Sequence, residues 1–288
     1  MGPALTVAVD IGGTKALLRA EDATGVVVHE RRLATGRDTT PGQLDDVVDG
    51  FLHEVGAPTA LAIACPGLVA TDGTRVVVSD VLPRIEEWRP RALDRHPGSR
   101  LVNDVRAALY GAQQAHPHVD DLAVVVAGTG IAACFTSNGR VHRGADGWAG
   151  ELGSVPVRAG GEVGTLDSVA SGAAILSRLG ASADEVRALL SRGDEDAQAA
   201  VEGAGRALGE ALATVLNLLN PGLLVLAGGA LAFPGYGEAA LSAARRWTLP
   251  ELWGSGAVTV DGDPGTLVLR GVMAVARGAT PPFRGGGS

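Results

Sequence analysis

A glycine turn joins two β-type runs, and this arrangement occurs twice along the chain. In the first half, the apolar run Leu5–Val9 enters Asp10-Ile-Gly-Gly-Thr-Lys15 and leads into a second run. In the second half, Leu122–Ala127 enters Gly128-Thr-Gly130 and again leads into a second run. Short apolar runs bounded by glycine are typical of strands rather than of helices. The repetition predicts an internal duplication with a cleft between the two halves.

The segments that follow each glycine turn alternate between helical and strand-like patterns. Helices are predicted at Pro41–Val55, Asp104–Ala115, Asp194–Leu219, Glu238–Trp247 and Leu267–Ala276. Strands are predicted at Ala16–Ala20, Val26–Arg32, Thr59–Ala64, Arg100–Asn103, Ile131–Thr136, Leu223–Ala227 and Ala257–Val260. Ser137-Asn-Gly-Arg140 predicts a hairpin turn, because Asn-Gly tolerates positive φ angles. His116–Asp121 is interpreted as the junction between the two halves.

The composition is that of a globular protein. The chain has 288 residues, 46% hydrophobic and 19% charged, which suffices for a sizeable buried core. No apolar run reaches the roughly 18 residues of a membrane span, and the N-terminus lacks the pattern of a secretory signal, so we expect a cytoplasmic protein. The net charge of −8 argues against nucleic acid or an anionic membrane as a partner. Cys65 and Cys134 lie in strand-like runs and are interpreted as inert core thiols.

Three glycine turns expose backbone N–H groups that no side chain covers. They are Gly12-Gly13-Thr14, Gly128-Thr129-Gly130 and Gly228-Gly229. Such amides can approach phosphate oxygens closely and form a nest for negative charge. Because the chain has 42 glycines, one such turn carries little weight. Three turns at strand ends, the first of them flanked by Asp10 and Thr14, indicate phosphate binding more strongly.

Two commoner nucleotide-binding motifs are excluded by their spacing. A P-loop requires Gly-x-x-x-x-Gly-Lys-Ser/Thr, whereas Lys15 follows Thr14 without that spacing. Gly128-Thr-Gly-Ile-Ala-Ala133 matches the loose dinucleotide pattern, but that pattern requires a helix to follow immediately. The residues that follow are strand-like and end in an Asn-Gly turn, which argues against a dehydrogenase.

Asp104 is the candidate for a catalytic base. It lies where the predicted strand Leu101–Asn103 meets the next helix, a position from which α/β enzymes present side chains to ligands. A carboxylate there can accept the proton of an alcohol that attacks a γ-phosphate, and Asn103 can hydrogen-bond a neighbouring hydroxyl. The alternative is that Asp104 only caps its helix. Glu151, in the glycine-rich segment Gly144–Gly153, either accepts two sugar hydroxyls or is a solvated loop acid.

These motifs, in this order, resemble those of the ROK family (repressor, open reading frame, kinase), within the sugar kinase, heat-shock ATPase and actin superfamily. The motifs that carry the resemblance are Asp10 to Lys15, Cys65-Pro-Gly67, Val102-Asn-Asp-Val105, Gly128 to Gly130, Gly144 to Gly153 with Ala-Gly-Glu151, Ser171-Gly172, and Asn220-Pro221 leading to Gly228-Gly229. The resemblance implies two actin-like (ribonuclease H-like) α/β domains, at residues 1–115 and 116–265, with a cleft between them. A C-terminal helix at residues 266–284 would pack back on the first domain.

The resemblance implies an ATP-dependent kinase that phosphorylates a hydroxyl of a sugar or sugar-like polyol and forms a homodimer. In that family pattern, Asp104 would be the general base, which favours catalysis over the capping alternative. The ATP phosphates, and Mg²⁺ through Asp10, would be held by Asp10, Gly12, Gly13, Thr14 and Lys15. Gly128, Thr129 and Gly130 would form a second phosphate loop, and Gly228 and Gly229 would lie against the adenosine. Substrate contacts would come from Gly67, Asn103, Asp104, Glu151, Ser154 and Asp167.

The sequence departs from the family pattern at the zinc site and at two sugar-binding positions. Typical members follow Ala-Gly-Glu-x-Gly with a histidine, where this chain has Ser154, and they carry three cysteines that bind zinc with that histidine. Arg158, Gly160 and Thr165 stand at the cysteine positions, so we expect no zinc site. Asp167 replaces the usual sugar-binding glutamate and is one methylene shorter. These changes argue against a preference for plain glucose.

Several alternatives concern the substrate and the class of protein. A seven-carbon cyclitol of the valiolone or valienone type, used by related actinomycete-type kinases, is an alternative to a hexose. A sugar-sensing regulator without catalysis is a second alternative, against which Asp10 and Asp104 both speak. A transcriptional repressor of this family would carry a helix-turn-helix before the first strand, where this sequence has only Met1–Ala4. We therefore expect a kinase that uses ATP and Mg²⁺.

Overall fold

The computed structural model describes residues 4–159, 161–255 and 257–278. The chain divides into two compact units. The first unit contains the residues up to Pro117, a short piece at residues 145–147 and the C-terminal segment from Gly265. The second unit contains residues 118–144 and 148–264. The domain limits given above stay a prediction.

The first unit is built on a five-stranded mixed sheet. Up to Ala115 its elements are β1 (Thr6–Ile11), β2 (Lys15–Glu21), β3 (Val27–Ala34), α1 (Pro41–Val55), β4 (Ala60–Cys65), β5 (Leu68–Val69), β6 (Val76–Val78), α2 (Arg91–Arg95), β7 (Arg100–Asn103) and α3 (Asp104–Ala115). The strand order is β3-β2-β1-β4-β7. The first three strands form an antiparallel meander, while β1, β4 and β7 run parallel. A separate antiparallel pair is formed by β5 and β6.

The second unit repeats this sheet. Its elements are β8 (Leu122–Ala127), β9 (Ile131–Ser137), β10 (Arg140–Val141), β11 (Pro156–Ala159), β12 (Glu162–Thr165), α4 (Leu166–Ala170), α5 (Gly172–Leu179), α6 (Ala183–Ser191), α7 (Glu195–Leu219), β13 (Leu223–Ala227), α8 (Tyr236–Trp247), α9 (Pro250–Ser255) and β14 (Ala257–Val260). The strand order is β10-β9-β8-β13-β14, and β8, β13 and β14 run parallel. Each sheet is thus a three-stranded meander followed by two further parallel strands. The predicted internal duplication is confirmed.

The central strands are apolar because both of their faces are covered. Every residue of β13 is buried, and only one residue of β8 is less than fully buried. Such near-continuous apolar runs are expected where helices pack on both faces of parallel strands. The long helix α7 contributes much of the cover in the second unit, with twelve buried residues along one face. It ends where Asn220 adopts a left-handed conformation with φ of 44°, as the Asn-Pro pair predicted.

The hairpin predicted from Asn-Gly is present between β9 and β10. Asn138 and Gly139 have φ angles of 52° and 72°, the positive values that a two-residue hairpin turn requires. The sequence interpretation missed the β5–β6 pair, the β11–β12 hairpin and helices α2, α4, α5, α6 and α9. These are short elements, and their apolar residues are too few to establish a period.

The last helix, α10 (Pro264–Ala276), packs on α3 within the first unit. A Cβ atom at Gly111 of α3 would lie 2.0 Å from the carbonyl oxygen of Leu267. A Cβ atom at Gly271 of α10 would lie 1.7 Å from the carbonyl oxygen of Ala107. The two backbones therefore approach closely because both crossing points are glycine. Helix α10 ends at Ala276, as the sequence pattern predicted; the limit at residue 284 that the resemblance implied lies outside the described residues.

Candidate active site

The carboxyl ends of β1, β4 and β7 meet at one edge of the first sheet. Asp10 pairs with Ala64, and Ala64 pairs with Val102, so these three residues lie side by side across the sheet. Asp104 follows Val102 by two residues and is the first residue of α3. The parallel topology thus brings Asp10 and Asp104 to the same edge, which is where open α/β sheets bind ligands.

The electrostatics of Asp10 reflect this proximity. Burial, and then the negative charge of Asp104, raise the pKa of Asp10 to about 7, although the positive charge of Lys15 opposes the shift. The same two carboxylates, after burial, raise the pKa of the Cys65 thiol at the end of β4. Cys65 is fully buried and protonated, in agreement with its interpretation as a core thiol. The edge therefore carries two carboxyl groups close enough to disfavour joint ionisation.

Asn103, and not Asp104, caps helix α3. The Asn103 side-chain oxygen accepts the N–H of Arg106 at 3.1 Å, and its side-chain nitrogen donates to the carbonyl oxygen of Gly67 at 2.8 Å. An Asp104 carboxylate oxygen accepts the N–H of Val105, the next residue, at 2.8 Å. The alternative that Asp104 serves only as the cap is wrong, because another residue fills that position. Both polar atoms of Asn103 are used within the unit, including one bond to the predicted substrate residue Gly67.

The first glycine turn is braced through its carbonyl groups. Gly12 donates its N–H to the carbonyl oxygen of Lys15 at 2.8 Å. Thr35 donates its hydroxyl to the carbonyl oxygen of Gly12 at 2.7 Å and its N–H to that of Thr14 at 3.0 Å. Within the described residues, no such bond takes up the N–H groups of Gly13 and Thr14. A turn whose carbonyls are engaged while the amides of Gly13 and Thr14 are available suits an anionic ligand.

The second and third glycine turns follow neighbouring parallel strands of the second sheet. Gly128 follows β8 and Gly228 follows β13, so both turns lie at the same edge. The N–H groups of Gly172 and Ala173, at the start of α5, donate to the carbonyl oxygens of Gly128 and Thr129 at 2.8 and 3.4 Å. Gly130 and Gly229 complete the two predicted loops. At Gly228, φ is 124° and a Cβ atom would lie 2.1 Å from the carbonyl oxygen of Ala127, so only glycine fits.

The segment around Glu151 is anchored on β9. The carbonyl oxygen of Gly150 accepts the N–H of Ala133 at 2.8 Å, and a Cβ atom at Gly150 would lie 1.9 Å from the carbonyl oxygen of Ala133, so no side chain fits there. Glu151 is exposed, and the short 3₁₀ helix Leu152–Ser154 that follows ends in an exposed serine. The segment presents Glu151 and Ser154 to solvent, as a binding role for their side chains requires.

Asp167 has a backbone partner that the sequence did not indicate. It lies in the first turn of α4, and one carboxylate oxygen accepts the N–H of Ile131, the first residue of β9, at 2.5 Å. The sequence-based interpretation assigned this carboxylate to a sugar hydroxyl. The backbone bond has no signal in the sequence, because it joins residues that are far apart along the chain.

Two further contacts at the candidate site were not predicted. Thr35 braces the first glycine turn, as described above. Arg106 donates from Nη2 to the carbonyl oxygen of Gly147 at 2.7 Å, and its buried Nε has no partner among the described residues. Both contacts depend on how strands and loops pair in space, and no local motif marks them.

Two of the residues at the zinc positions that the resemblance implied belong to local secondary structure. Arg158 lies in β11, and Thr165 caps α4 by accepting the N–H of Ser168 at 3.2 Å. Gly160 lies outside the described residues. Among the residues that the structure describes, no group of three or more His, Cys, Asp or Glu side chains is arranged to hold a metal ion.

No described helix has the length and hydropathy needed to cross a bilayer.

Comparison with known proteins identifies relatives across nearly the whole chain. The profile of the ROK family matches residues 6–262. An N-acetylmannosamine kinase of Escherichia coli is 26% identical over 251 residues, which cover 80% of this chain and 85% of that protein.

Solved structures with similar folds include two sugar kinases. One is a ROK family glucokinase of Streptomyces griseus in complex with glucose and AMPPNP, with a TM-score of 0.79 and 23% identity over 96% of this chain and all of that one. Another is a ROK hexokinase of Thermus thermophilus, with a TM-score of 0.73 and 25% identity over 96% of this chain and 98% of that one. The predicted α/β fold with two actin-like domains is confirmed.

Proposed function

The chain belongs to the ROK family, and from that premise we propose that it is an ATP-dependent kinase that phosphorylates a hydroxyl of a sugar. The observation that carries the proposal is that Asp104 and Asp10 lie at the same carboxyl edge of the first sheet, where their two carboxyl groups interact electrostatically. The N-acetylmannosamine kinase of Escherichia coli, similar over 80% of this chain, supports the same class of reaction.

In the proposed reaction, Asp104 is the general base. Its carboxylate accepts the proton of the substrate hydroxyl as the hydroxyl oxygen bonds to the γ-phosphorus and the bond to the β-phosphate oxygen breaks. Since Asn103 caps the helix, the Asp104 carboxylate is not required for that structural role. The products are ADP and a sugar phosphate.

Asp10 is proposed to hold Mg²⁺ together with ATP. Its pKa of about 7 means that the group is only partly ionised near neutral pH, because Asp104 and burial oppose its charge. A divalent cation supplies the opposite charge, favours the ionised form and neutralises the nucleotide phosphates. Mg²⁺ typically uses one or two carboxylates, with phosphates and water as its other ligands, so this residue set fits.

The glycine turns are proposed to bind the nucleotide. In the first turn, the phosphates contact Gly12, Gly13, Thr14 and Lys15. The available N–H groups of Gly13 and Thr14 are the main donors. In the second turn, Gly128, Thr129 and Gly130 act in the same way, and Gly228 and Gly229 lie against the adenosine. Backbone amides suit this task because they bring partial positive charge close to phosphate without a side chain.

The acceptor is proposed to be an N-acylated amino sugar in preference to glucose. We propose that Glu151 and Ser154 of the second unit bind its hydroxyls, and we assign the same role to Gly67 and Asn103 of the first unit. A serine at position 154 reaches about 2–3 Å less far than a histidine, so the ring loses a partner that typical members supply. The similarity to an N-acetylmannosamine kinase supports an acylated substrate. A seven-carbon cyclitol is the second candidate, because a substituent on its ring could fill the same space.

Steady-state kinetics with ATP, Mg²⁺ and a panel of acceptors test the proposal. The panel contains glucose, mannose, N-acetylmannosamine, N-acetylglucosamine and a valiolone-type cyclitol. We expect at least one acylated amino sugar or cyclitol to exceed glucose in kcat/KM by about tenfold, the value of roughly one buried hydrogen bond. If glucose is the best acceptor of the panel, the specificity proposal is wrong while the kinase assignment stands.

An outcome without any turnover would favour a sugar-sensing regulator without catalysis. In that case, sugars should still bind in calorimetry although ATP is not consumed.

The proposal also includes a cytoplasmic homodimer without nucleic-acid or membrane partners, with domains at residues 1–115 and 116–265. Light scattering of the purified protein tests the dimer.

A further inference from the structure

We propose that Asp167 is a positioning residue that holds the Gly128–Gly130 loop in its nucleotide-binding form. This assignment rests on the proposed kinase function, in which that loop contacts the ATP phosphates. It differs from the role that the resemblance implied, in which the side chain at this position contacts the sugar. The contacts of the Asp167 carboxylate, the space around it and the helix that carries it all support a positioning role.

The first support is the bond that the carboxylate accepts. One oxygen of Asp167 lies 2.5 Å from the backbone nitrogen of Ile131. Ile131 directly follows Gly130, so this bond fixes the chain where it leaves the loop and enters β9. A hydrogen bond to a carboxylate is shorter and roughly twice as strong as one between neutral groups. The bond therefore restrains the conformation that the loop adopts.

The second support is the space on either side of the carboxylate. A Cβ atom at Gly153 would lie 2.4–2.5 Å from the three carboxyl atoms of Asp167, too close for any side chain. A Cβ atom at Gly130 would lie 3.6 Å from its two oxygens, which is ordinary contact distance. Asp167 thus packs between the predicted phosphate loop and the segment that carries Glu151. Position 153 is glycine because the Asp167 carboxylate occupies the space that a side chain would need.

The third support is the segment that follows Asp167, which holds the opposite side of the same loop. Ser171 donates its N–H to the carbonyl oxygen of Asp167 at 3.4 Å, and its hydroxyl oxygen caps α5 by accepting the N–H of Ala174. The N–H of Gly172, the first residue of α5, then donates to the carbonyl oxygen of Gly128. One short stretch of chain therefore fixes the loop at its start through Gly172 and at its end through Asp167.

The helix that carries Asp167 is itself held by a hydrogen bond at its C-terminal end. The hydroxyl of Tyr236 donates to the carbonyl oxygen of Ala170, the last residue of α4, at 2.6 Å. Tyr236 is fully buried, and burial together with the charge of Asp167 raises the pKa of its hydroxyl. The phenol consequently stays protonated and remains a donor. A helix held in this way can position a carboxylate, which a mobile loop could not do.

The two roles predict different kinetic effects. Replacing a residue that contacts the acceptor changes the KM for the acceptor and leaves nucleotide binding without acceptor unaltered. Replacing a residue that positions the phosphate loop weakens nucleotide binding even without an acceptor. Calorimetry with AMPPNP and Mg²⁺ on the full chain therefore separates them.

The test uses two substitutions of the same residue. Asp167→Ala removes the acceptor of the Ile131 N–H, and we expect its Kd for AMPPNP with Mg²⁺ to rise about tenfold or more, the scale of a lost hydrogen bond to a charged group. Asp167→Asn keeps an acceptor oxygen in the same place, and we expect a Kd within about threefold of wild type. If Asp167→Ala binds AMPPNP like wild type while the KM for the acceptor rises, the residue is a substrate contact and the proposal is overturned.

A second pair of variants covers the case in which Asp167→Ala does not fold. Gly153→Ala places a methyl group against the carboxylate and should weaken AMPPNP binding by displacing it, whereas Gly203→Ala on α7, with only the end of a flexible Arg206 side chain nearby, should not. Where Asp167→Ala does fold, adding Gly153→Ala to it should weaken binding no further, because the clash is gone. Additive effects would contradict the proposal. Failure of the wild-type chain to bind AMPPNP would instead contradict the proposed function.

Discussion

Asp104 and Asp10 are the residues on which the proposed chemistry depends. The sequence pointed to both, Asp104 from its position between a strand and a helix and Asp10 from its place before a glycine turn. The structure adds that Asn103 takes over the capping of α3 and that the two carboxyl groups interact. Asp104 can therefore be replaced without removal of the helix cap, which makes it a clean target for mutation.

Replacement of Asp104 by asparagine should remove the general base while leaving the fold intact. We expect kcat to fall about a hundredfold or more, the usual scale for such a loss, with AMPPNP binding retained. Asp94→Asn, at an exposed position in α2, is the matched control and should keep wild-type kcat. Steady-state kinetics at saturating ATP measure both variants. Near wild-type turnover in Asp104→Asn would remove the residue from the mechanism.

At the scale of elements, the contact between α3 and α10 depends on two glycines. Helix α3 begins at the candidate base, and α10 packs against it at Ala107 and Gly111. The two backbones approach so closely that a single added carbon atom would meet a carbonyl oxygen. Because backbone cannot move aside as a flexible side chain can, the helix pair has little tolerance at these positions.

Gly111→Ala should therefore destabilise the protein although alanine is the better helix former. The added Cβ atom would lie 2.0 Å from the carbonyl oxygen of Leu267, and overpacking of this kind costs about 1–3 kcal/mol. Gly203→Ala, on α7 with only a flexible arginine end at 3.8 Å, should instead stabilise by up to about 1 kcal/mol. Urea unfolding of the two variants measures the difference. Equal midpoints would show that the glycine contact does not limit the packing.

At the scale of the whole molecule, several residues differ from the family pattern at the positions implied to bind zinc. Ser154 is exposed, Arg158 lies in a hairpin strand and Thr165 caps a helix with its side chain. Two of these three residues thus have a definite place in the local structure that needs no metal. Within the described residues, the pairing of β11 with β12 and the cap at Thr165 order this segment through hydrogen bonds.

The purified protein should accordingly contain less than one zinc per chain. Structural zinc requires about four nitrogen or sulfur ligands, and the positions that provide them in the family are occupied here by other residue types. Elemental analysis after purification without added metal measures the content, and a zinc chelator should leave the thermal unfolding temperature unchanged. A zinc-bearing relative treated in parallel is the control. One tightly held zinc per chain would contradict the prediction.

The strands, the long helices and the candidate base were determined by local sequence. Alternating or continuous apolar runs and Asn-Gly at positions 138–139 have direct consequences for backbone conformation, so β1, β8, β13, α1, α3 and α7 were predicted within a few residues. The short elements between residues 152 and 191 were missed, because helices of five to nine residues there carry too few apolar positions to reveal a period.

Only the tertiary structure decided which polar side chains are available for a ligand. The family pattern assigned Asp167 to the sugar, and no motif indicated that one of its carboxylate oxygens accepts the N–H of Ile131, which lies 36 residues away along the chain. Thr35 braces Gly12 from 23 residues away, and nothing beside either residue marks the pair. A sequence states which groups can form hydrogen bonds, whereas the partner of each group depends on chain segments that meet only after folding, when burial makes an unpaired polar group costly.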